Sequence, residues 1–123
     1  MQTVLSHEAP SPAGHYAQAM IVAGLVFVSG QLPFHPQSKS MPEGLDAQVV
    51  QAMKNVEAIL IAAGSSLSKL VNVTLYITDV ALWPQVNRVY AQIMGESKPA
   101  RTVVPVPALH YGALIEINAV AEV

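Results

Sequence analysis

The chain has 123 residues, of which 52% are hydrophobic and only 11% are charged, and its formal net charge is −2. This length fits a single domain covering residues 1–123, and the six scattered basic residues form no stripe, which argues against a dedicated nucleic-acid binder. The absence of cysteine excludes disulfides and thiol catalysis and is compatible with a cytoplasmic protein. No apolar run approaches the length of a membrane span, so we expect no membrane partner.

The first third of the chain predicts three strands. Short apolar or alternating segments favour strands over residues 3–6, 15–22 and 25–29. Ala23-Gly24 between the second and third strands is typical of a tight hairpin turn. The segments 7–14 and 30–44 are rich in proline and glycine and are predicted to be loops.

From residue 45 the hydrophobic period changes to that of a helix. Apolar residues at helical spacing are Val49, Met53, Val56, Leu60 and Ala63, and Gly64 is a natural C-terminal stop. A strand is then predicted over 70–77, with one apolar side formed by Val71, Val73, Leu75 and Ile77. Asp79 is expected to cap or turn the chain before a second, shorter helix marked by Val86, Val89, Tyr90 and Ile93.

Two β-rich runs around a proline- and glycine-containing loop end the chain, and a charge stands in apolar surroundings in each of them. Arg101 lies in the first run, and Glu116 lies in the second, where Ile115, Ile117, Ala119 and Ala121 form an apolar face. A guanidinium can grip a carboxylate with two hydrogen bonds, and a carboxylate can deprotonate water. The pair therefore indicates either a small acid-handling site or a structural ion pair across adjacent strands.

The predicted order βββ-α-β-α-ββ describes an α+β domain with two helices on one face of a mixed sheet. This leaves the other sheet face uncovered. A chain with so few charges should not expose that face to water, so we expect the sheets of several copies to pack together.

Other chemical motifs are sparse. Phosphate-binding glycine loops are absent, and the four histidines have no zinc-like spacing, so no metal site is predicted. Ser29 at a strand end is more plausible as a hydrogen-bonding group than as a nucleophile. Asn87 lies on the second helix and is either a solvated residue or one that reaches a neighbour's site.

Several short motifs, taken together, resemble those of the Rid family of reactive-intermediate deaminases, also called the YjgF or perchloric-acid-soluble protein family. They run nearly the whole length of the chain. The main ones are Gly14-His15-Tyr16-Ala17-Gln18, Ser29-Gly30-Gln31-Leu32-Pro33, Val86-Asn87-Arg88-Val89-Tyr90, Pro99-Ala100-Arg101-Thr102 and Ile115-Glu116-Ile117.

The resemblance implies a chorismate-mutase-like α+β fold and a homotrimer whose sheets form a central barrel with clefts between subunits. It also implies hydrolysis of 2-imino acids, such as 2-iminobutanoate or 2-iminopropanoate, to 2-oxo acids and ammonia without a metal or organic cofactor. By resemblance, Arg101 binds the substrate carboxylate and Glu116 positions water. The cleft would be lined by Tyr16, Ser29, Gly30, Asn87 and the backbone at Val103.

This chain departs from the family pattern at several of these motifs. The departures are His15, Ala17, Val103 in place of a frequent cysteine, His110-Tyr111 in place of Pro-Lys, and Asn118 in place of a second glutamate. Two alternatives to the deaminase remain open. One is a non-catalytic trimer that binds small carboxylates, and the other, which the acidic balance disfavours, is a ribonuclease or translation inhibitor.

Overall fold

The chain folds into one six-stranded β-sheet and two α-helices in a computed structural model that describes all of residues 1–123. The strands are β1 (Gln2–Val4), β2 (Ala19–Val22), β3 (Leu25–Gln31), β4 (Leu70–Ile77), β5 (Ala100–Pro105) and β6 (Ile115–Glu122). The helices are α1 (Leu45–Ala62) and α2 (Trp83–Met94). This confirms the predicted α+β class and the predicted order of elements.

The sheet has the strand order β1-β2-β3-β6-β4-β5. All neighbouring pairs are antiparallel except β4 and β5, which are parallel and joined through α2. A parallel pair requires a crossover connection, and the helix supplies it. Strand β5 therefore forms one edge of the sheet, and β4 separates it from β6.

The hydrophobic core lies between the helices and one face of the sheet. On β6 the predicted alternation is confirmed, because Ile115, Ile117 and Ala121 are fully buried. On α1 the predicted stripe is also confirmed, and Val49 and Val56 are fully buried within the same cluster. The other sheet face carries no helix, and Phe27 on that face is 45% exposed.

Both predicted helix boundary signals occupy the expected places. Gly64 follows α1 with a φ of 83°, a left-handed conformation that glycine adopts without steric cost. The Asp79 side chain accepts a hydrogen bond of 2.8 Å from the backbone N–H of Ala81, which starts a short 3₁₀ turn before α2.

Two strand predictions need correction at their ends. Strand β1 covers Gln2–Val4 rather than 3–6, and β2 begins at Ala19 rather than at residue 15. The cause is Gln18, whose buried side-chain amide accepts from the backbone N–H of Ser6 and donates to its carbonyl. Because of these side-chain hydrogen bonds, the segment forms a loop and does not make the backbone hydrogen bonds of a strand pair.

A third correction concerns Val71, which was assigned to the apolar side of β4. It is 47% exposed, because the register between β4 and β6 shifts at Leu70 and Asn72. A β-bulge of this kind sends one side chain to the opposite face. The remaining apolar residues of β4 are fully buried as predicted: Val73, Leu75 and Ile77.

No helix of the structure combines the length and apolar character needed to cross a membrane.

Candidate active site

A β-bulge in β3 brings the backbone of this strand against Glu116. Between Val28 and Gln31, strand β3 has two residues where its partner β6 has one, so Ser29 and Gly30 face a single residue, Asn118. Bulges often re-aim backbone and side chains next to functional sites. The bulge also extends β3 to Gln31, two residues beyond the predicted end at Ser29.

Gly30 is required at the bulge because the Glu116 carboxylate approaches its Cα closely. A Cβ atom at position 30 would lie 2.7 Å from Oε2 and 3.1 Å from Cδ of Glu116. Any larger residue must therefore displace the carboxylate. The absence of a side chain at position 30 therefore leaves the space that the Glu116 carboxylate occupies.

We expect Gly30→Ala to lower kcat/KM for any reaction that uses the Glu116 carboxylate by about 100-fold, the cost of misplacing a reacting group. Stability should fall by only about 1 kcal/mol, because the Glu116 side chain can rotate away from the added methyl. Steady-state kinetics and thermal unfolding measure the two effects. In a Glu116→Gln background the same change should lower activity little further, and additive losses would contradict a shared mechanism.

The Glu116 side chain lines a cavity of about 480 Å³. Four of the predicted site residues line it together: Tyr16, Ser29, Gly30 and Glu116. The Ser29 hydroxyl donates a 2.7 Å hydrogen bond to the carbonyl of Ala17, so its oxygen remains available only as an acceptor. No cation pairs with Glu116, since the one ion pair of the chain joins Arg88 and Asp46.

The N-terminal loop forms one side of this cavity, and Gln18 holds the loop in place. Gln18 is 1% exposed, and besides its bonds to Ser6 it donates to the carbonyl of Pro10 at 2.9 Å. In the sequence, Gln18 stands out only as the last residue of the motif Gly14-His15-Tyr16-Ala17-Gln18. A polar residue before an apolar strand gives no periodic signal, so only the tertiary structure reveals this function.

Arg101 lies in a second cavity of about 350 Å³ between β5 and α2. Its Nη1 donates a 3.0 Å hydrogen bond to Oδ1 of Asn87, which lines the same cavity. Its Cζ lies 4.6 Å from the centroid of the Trp83 ring and 4.9 Å from that of Tyr90. The two aromatic rings and the amide fix the guanidinium by cation–π contacts and a hydrogen bond.

The Arg101 cavity is suited to an anion. Lys98 also lines it, and no aspartate or glutamate does. Burial raises the pKa of the Tyr90 hydroxyl, and the positive charge of Arg101 lowers it only in part, so Tyr90 is neutral at physiological pH. The guanidinium thus retains donors and an uncompensated charge for a carboxylate or similar anion.

Within one chain Arg101 and Glu116 point to opposite faces of the sheet. In the sheet register, Arg101 pairs with Val73 of β4, which is buried under the helices. Glu116 pairs with Tyr76, which lies three residues further along β4. Successive side chains on a strand alternate between faces, so an offset of three residues reverses the face. The prediction of an ion pair across adjacent strands is wrong, because β4 separates β5 from β6.

The predicted site residues therefore divide into two groups. Tyr16, Ser29 and Gly30 lie with Glu116, and Asn87 lies with Arg101. Val103 lines neither cavity, and its side chain packs against the core. No group of three or more histidine, aspartate or glutamate side chains is placed to hold a metal ion.

Aromatic residues that were not among the predicted site residues lie beside both charged groups. Trp83 packs against the core, and its ring also lies 4.6 Å from Cζ of Arg101. Phe34 and Tyr111 line the Glu116 cavity, and their rings meet edge to face with centroids 5.4 Å apart. In the sequence, Tyr111 stands out only as a departure from the family pattern.

Comparison with known proteins identifies the family. A family model described as endoribonuclease L-PSP matches residues 6–123. A RutC family protein of Pyrococcus horikoshii is 40% identical over 121 residues, which cover 98% of this chain and 96% of the relative. A RutC family protein of Aquifex aeolicus is 40% identical over 123 residues, with 98% of each chain covered.

Solved structures share the whole fold. RidA from an Antarctic Psychrobacter species has a TM-score of 0.96 and 36% identity, with complete coverage of both chains. TdcF of Escherichia coli, solved with bound serine, has a TM-score of 0.96 and 32% identity, covering 100% of this chain and 99% of its own. On the match to the family model, the relatives and the shared fold, the chain belongs to the Rid/YjgF family.

Proposed function

We propose that this protein hydrolyses reactive 2-imino acids to 2-oxo acids and ammonia, at a site that two copies of the chain build together. The observation that carries the proposal is the division of the site within one chain. An unpaired cation in one cavity and an unpaired carboxylate in another, on opposite sheet faces, are complementary halves of an acid-handling site. Apposition of the Arg101 cavity of one copy and the Glu116 cavity of the next would complete it.

In this arrangement Arg101 binds the carboxylate of the substrate. The guanidinium offers two parallel donors to a carboxylate, and Asn87 holds the remaining side of the fork. Binding the carboxylate fixes the neighbouring C=N carbon, and an imine is already electrophilic. Positioning is therefore most of the catalysis that the protein must supply.

Glu116 acts on the water. Its carboxylate takes a proton from water as the oxygen bonds to the C=N carbon and passes that proton to the nitrogen, which gives a carbinolamine. It then moves the hydroxyl proton of the carbinolamine to the nitrogen as the C=O bond forms, the C–N bond breaks and ammonia leaves. The products are one 2-oxo acid and one ammonia for each imine and water consumed. The Ser29 hydroxyl donates its hydrogen bond to the Ala17 carbonyl, so the Ser29 oxygen is available to accept a hydrogen bond from the imine N–H.

We further propose that the copies assemble as a homotrimer of single-domain chains, residues 1–123. Two different half-sites on opposite faces of the sheet can meet in a head-to-tail interface, which forms a closed ring when its rotation brings the last copy back to the first. The helix-free sheet face supports burial between copies, because Phe27 is half exposed there.

A related structure supports the substrate class. TdcF, which shares the fold, was solved with serine, a small molecule that carries a carboxylate beside an α-nitrogen. A 2-imino acid has the same two groups on adjacent positions. The proposed reaction needs no metal ion or organic cofactor, since water, the imine and two side chains balance it.

The direct test is imine hydrolysis in a coupled assay. An amino-acid oxidase or threonine dehydratase generates the 2-imino acid, and semicarbazide traps what remains. We expect the wild type to lower the trapped imine and Arg101→Ala to have no effect. No lowering by the wild type with several imino acids, combined with binding of 2-oxo acids, would make the protein a carboxylate receptor instead of an enzyme.

Ribonuclease activity is the weaker alternative, although the description of the matching family model names it. Phosphate backbones are bound by basic surfaces, and this chain has six basic residues and a net charge of −2. Incubation with a structured RNA should leave the RNA intact. Cleavage that survives Arg101→Ala and Glu116→Gln would indicate a separate site.

A further inference from the structure

The Glu116 cavity has an aromatic wall formed by Phe34 and Tyr111. The two rings meet at 75° with their centroids 5.4 Å apart, a favourable edge-to-face arrangement. Phe34 is half-buried, but 74% of Tyr111 is exposed. The Tyr111 ring therefore adds little to the core of this chain and presents apolar surface to the cavity.

The backbone at Tyr111 is in an unfavourable conformation. It lies in the short 3₁₀ turn His110–Gly112 with a φ of 61°, a region in which bulky side chains are rare. Asparagine adopts this conformation more readily than tyrosine. Local folding thus gives no reason for an aromatic ring at this position, and its surroundings in the cavity do.

We infer that the aromatic wall binds the side chain of the substrate and selects 2-imino acids with large apolar side chains. The inference rests on the proposed function. The C=N carbon of a 2-imino acid has three substituents: the nitrogen, the carboxylate and the side chain. When Arg101 of a neighbouring copy holds the carboxylate and Glu116 faces the carbon, the side chain must occupy the remaining cavity.

The size and lining of the cavity fit such a side chain. In the single chain its volume is about 480 Å³, within the usual range for small-molecule sites. Leu32 joins Phe34 and Tyr111 in the lining, and all three offer apolar surface. An isobutyl or benzyl group would bury this apolar surface, whereas a methyl group would leave most of it in contact with water.

The test measures binding of 2-oxo acids, the products, to the full-length protein by isothermal titration calorimetry. We expect the wild type to bind phenylpyruvate about tenfold more tightly than pyruvate. Tyr111→Asn removes the ring and suits the positive φ, so it should abolish this preference by weakening the binding of phenylpyruvate about tenfold more than that of pyruvate. Tyr111→Phe keeps the ring and should preserve the preference. Thermal unfolding monitors that each variant is folded.

Each outcome decides between the two claims. Equal binding of both acids by the wild type, or an unaltered preference in Tyr111→Asn, overturns the side-chain role of the aromatic wall and leaves imine hydrolysis intact. Selective binding that Tyr111→Asn abolishes supports the wall even if no imine is hydrolysed. Binding of neither acid by the wild type overturns the carboxylate site and the aromatic wall together.

Discussion

Replacement of Arg101 by alanine should lower kcat/KM for imine hydrolysis by roughly 30- to 5,000-fold. This range corresponds to about 2–5 kcal/mol, the usual cost of removing one partner of a buried, hydrogen-bonded charge pair. The substrate carboxylate would lose both its donors and its counter-charge. Arg101→Lys should recover only part of the loss, because an ammonium group lacks the planar fork that stacks between Trp83 and Tyr90.

The chain contains its own reporter for this prediction. Trp83 is the single tryptophan, and its ring lies 4.6 Å from Cζ of Arg101. Titration with 2-oxobutanoate should change its fluorescence in the wild type and not in Arg101→Ala. Arg88→Ala is the matched control, since Arg88 forms an exposed pair with Asp46 at 3.7 Å that contributes little to stability. Equal titration curves for wild type and Arg101→Ala would contradict the assigned role.

Replacement of Glu116 by glutamine should lower kcat by about 100- to 10,000-fold and leave 2-oxo acid binding almost unchanged. Glutamine has the shape of glutamate and fits the same space beside Gly30, but its amide cannot accept a proton from water. Separate measurement of kcat and of product affinity distinguishes a group that acts on water from one that binds the substrate.

Glu122→Gln is the matched control for this variant. Glu122 is six residues further along β6, on the same strand face, and is exposed outside the Glu116 cavity. It should retain wild-type turnover. A Glu116→Gln protein that turns over normally, or one that fails to bind 2-oxo acids, would remove Glu116 from the role of general base.

The parts of the fold that sequence predicted well are those set by local periodicity. Strand β6 alternates over eight residues, and α1 carries an apolar stripe that ends at a glycine. The start of β2 and the position of Val71 were wrong for a physical reason. A side-chain hydrogen bond from Gln18 and a one-residue bulge both depend on partners distant in the chain, so no local pattern records them.

In the candidate site, too, local sequence patterns predicted some features, whereas others depend on residues distant in the chain. The sequence motifs predicted the candidate site residues, and most of these residues line one of two cavities in the structure. Their distribution between opposite faces follows from the register of β5 and β6 on β4, a long-range pairing that spacing cannot reveal. Trp83 was missed as a partner of Arg101 because an aromatic residue at the start of a helix resembles any core residue.

The central claim, that two copies build each site, is tested most directly by mixing two inactive variants. Arg101→Ala retains the Glu116 half-site, and Glu116→Gln retains the Arg101 half-site. Co-expression with different affinity tags and isolation of mixed assemblies should restore activity to about a third of wild type for trimers, because one of the three interfaces in a mixed trimer pairs two intact halves. Mixed assemblies as inactive as their parents would contradict a shared site and place all of the chemistry within one chain.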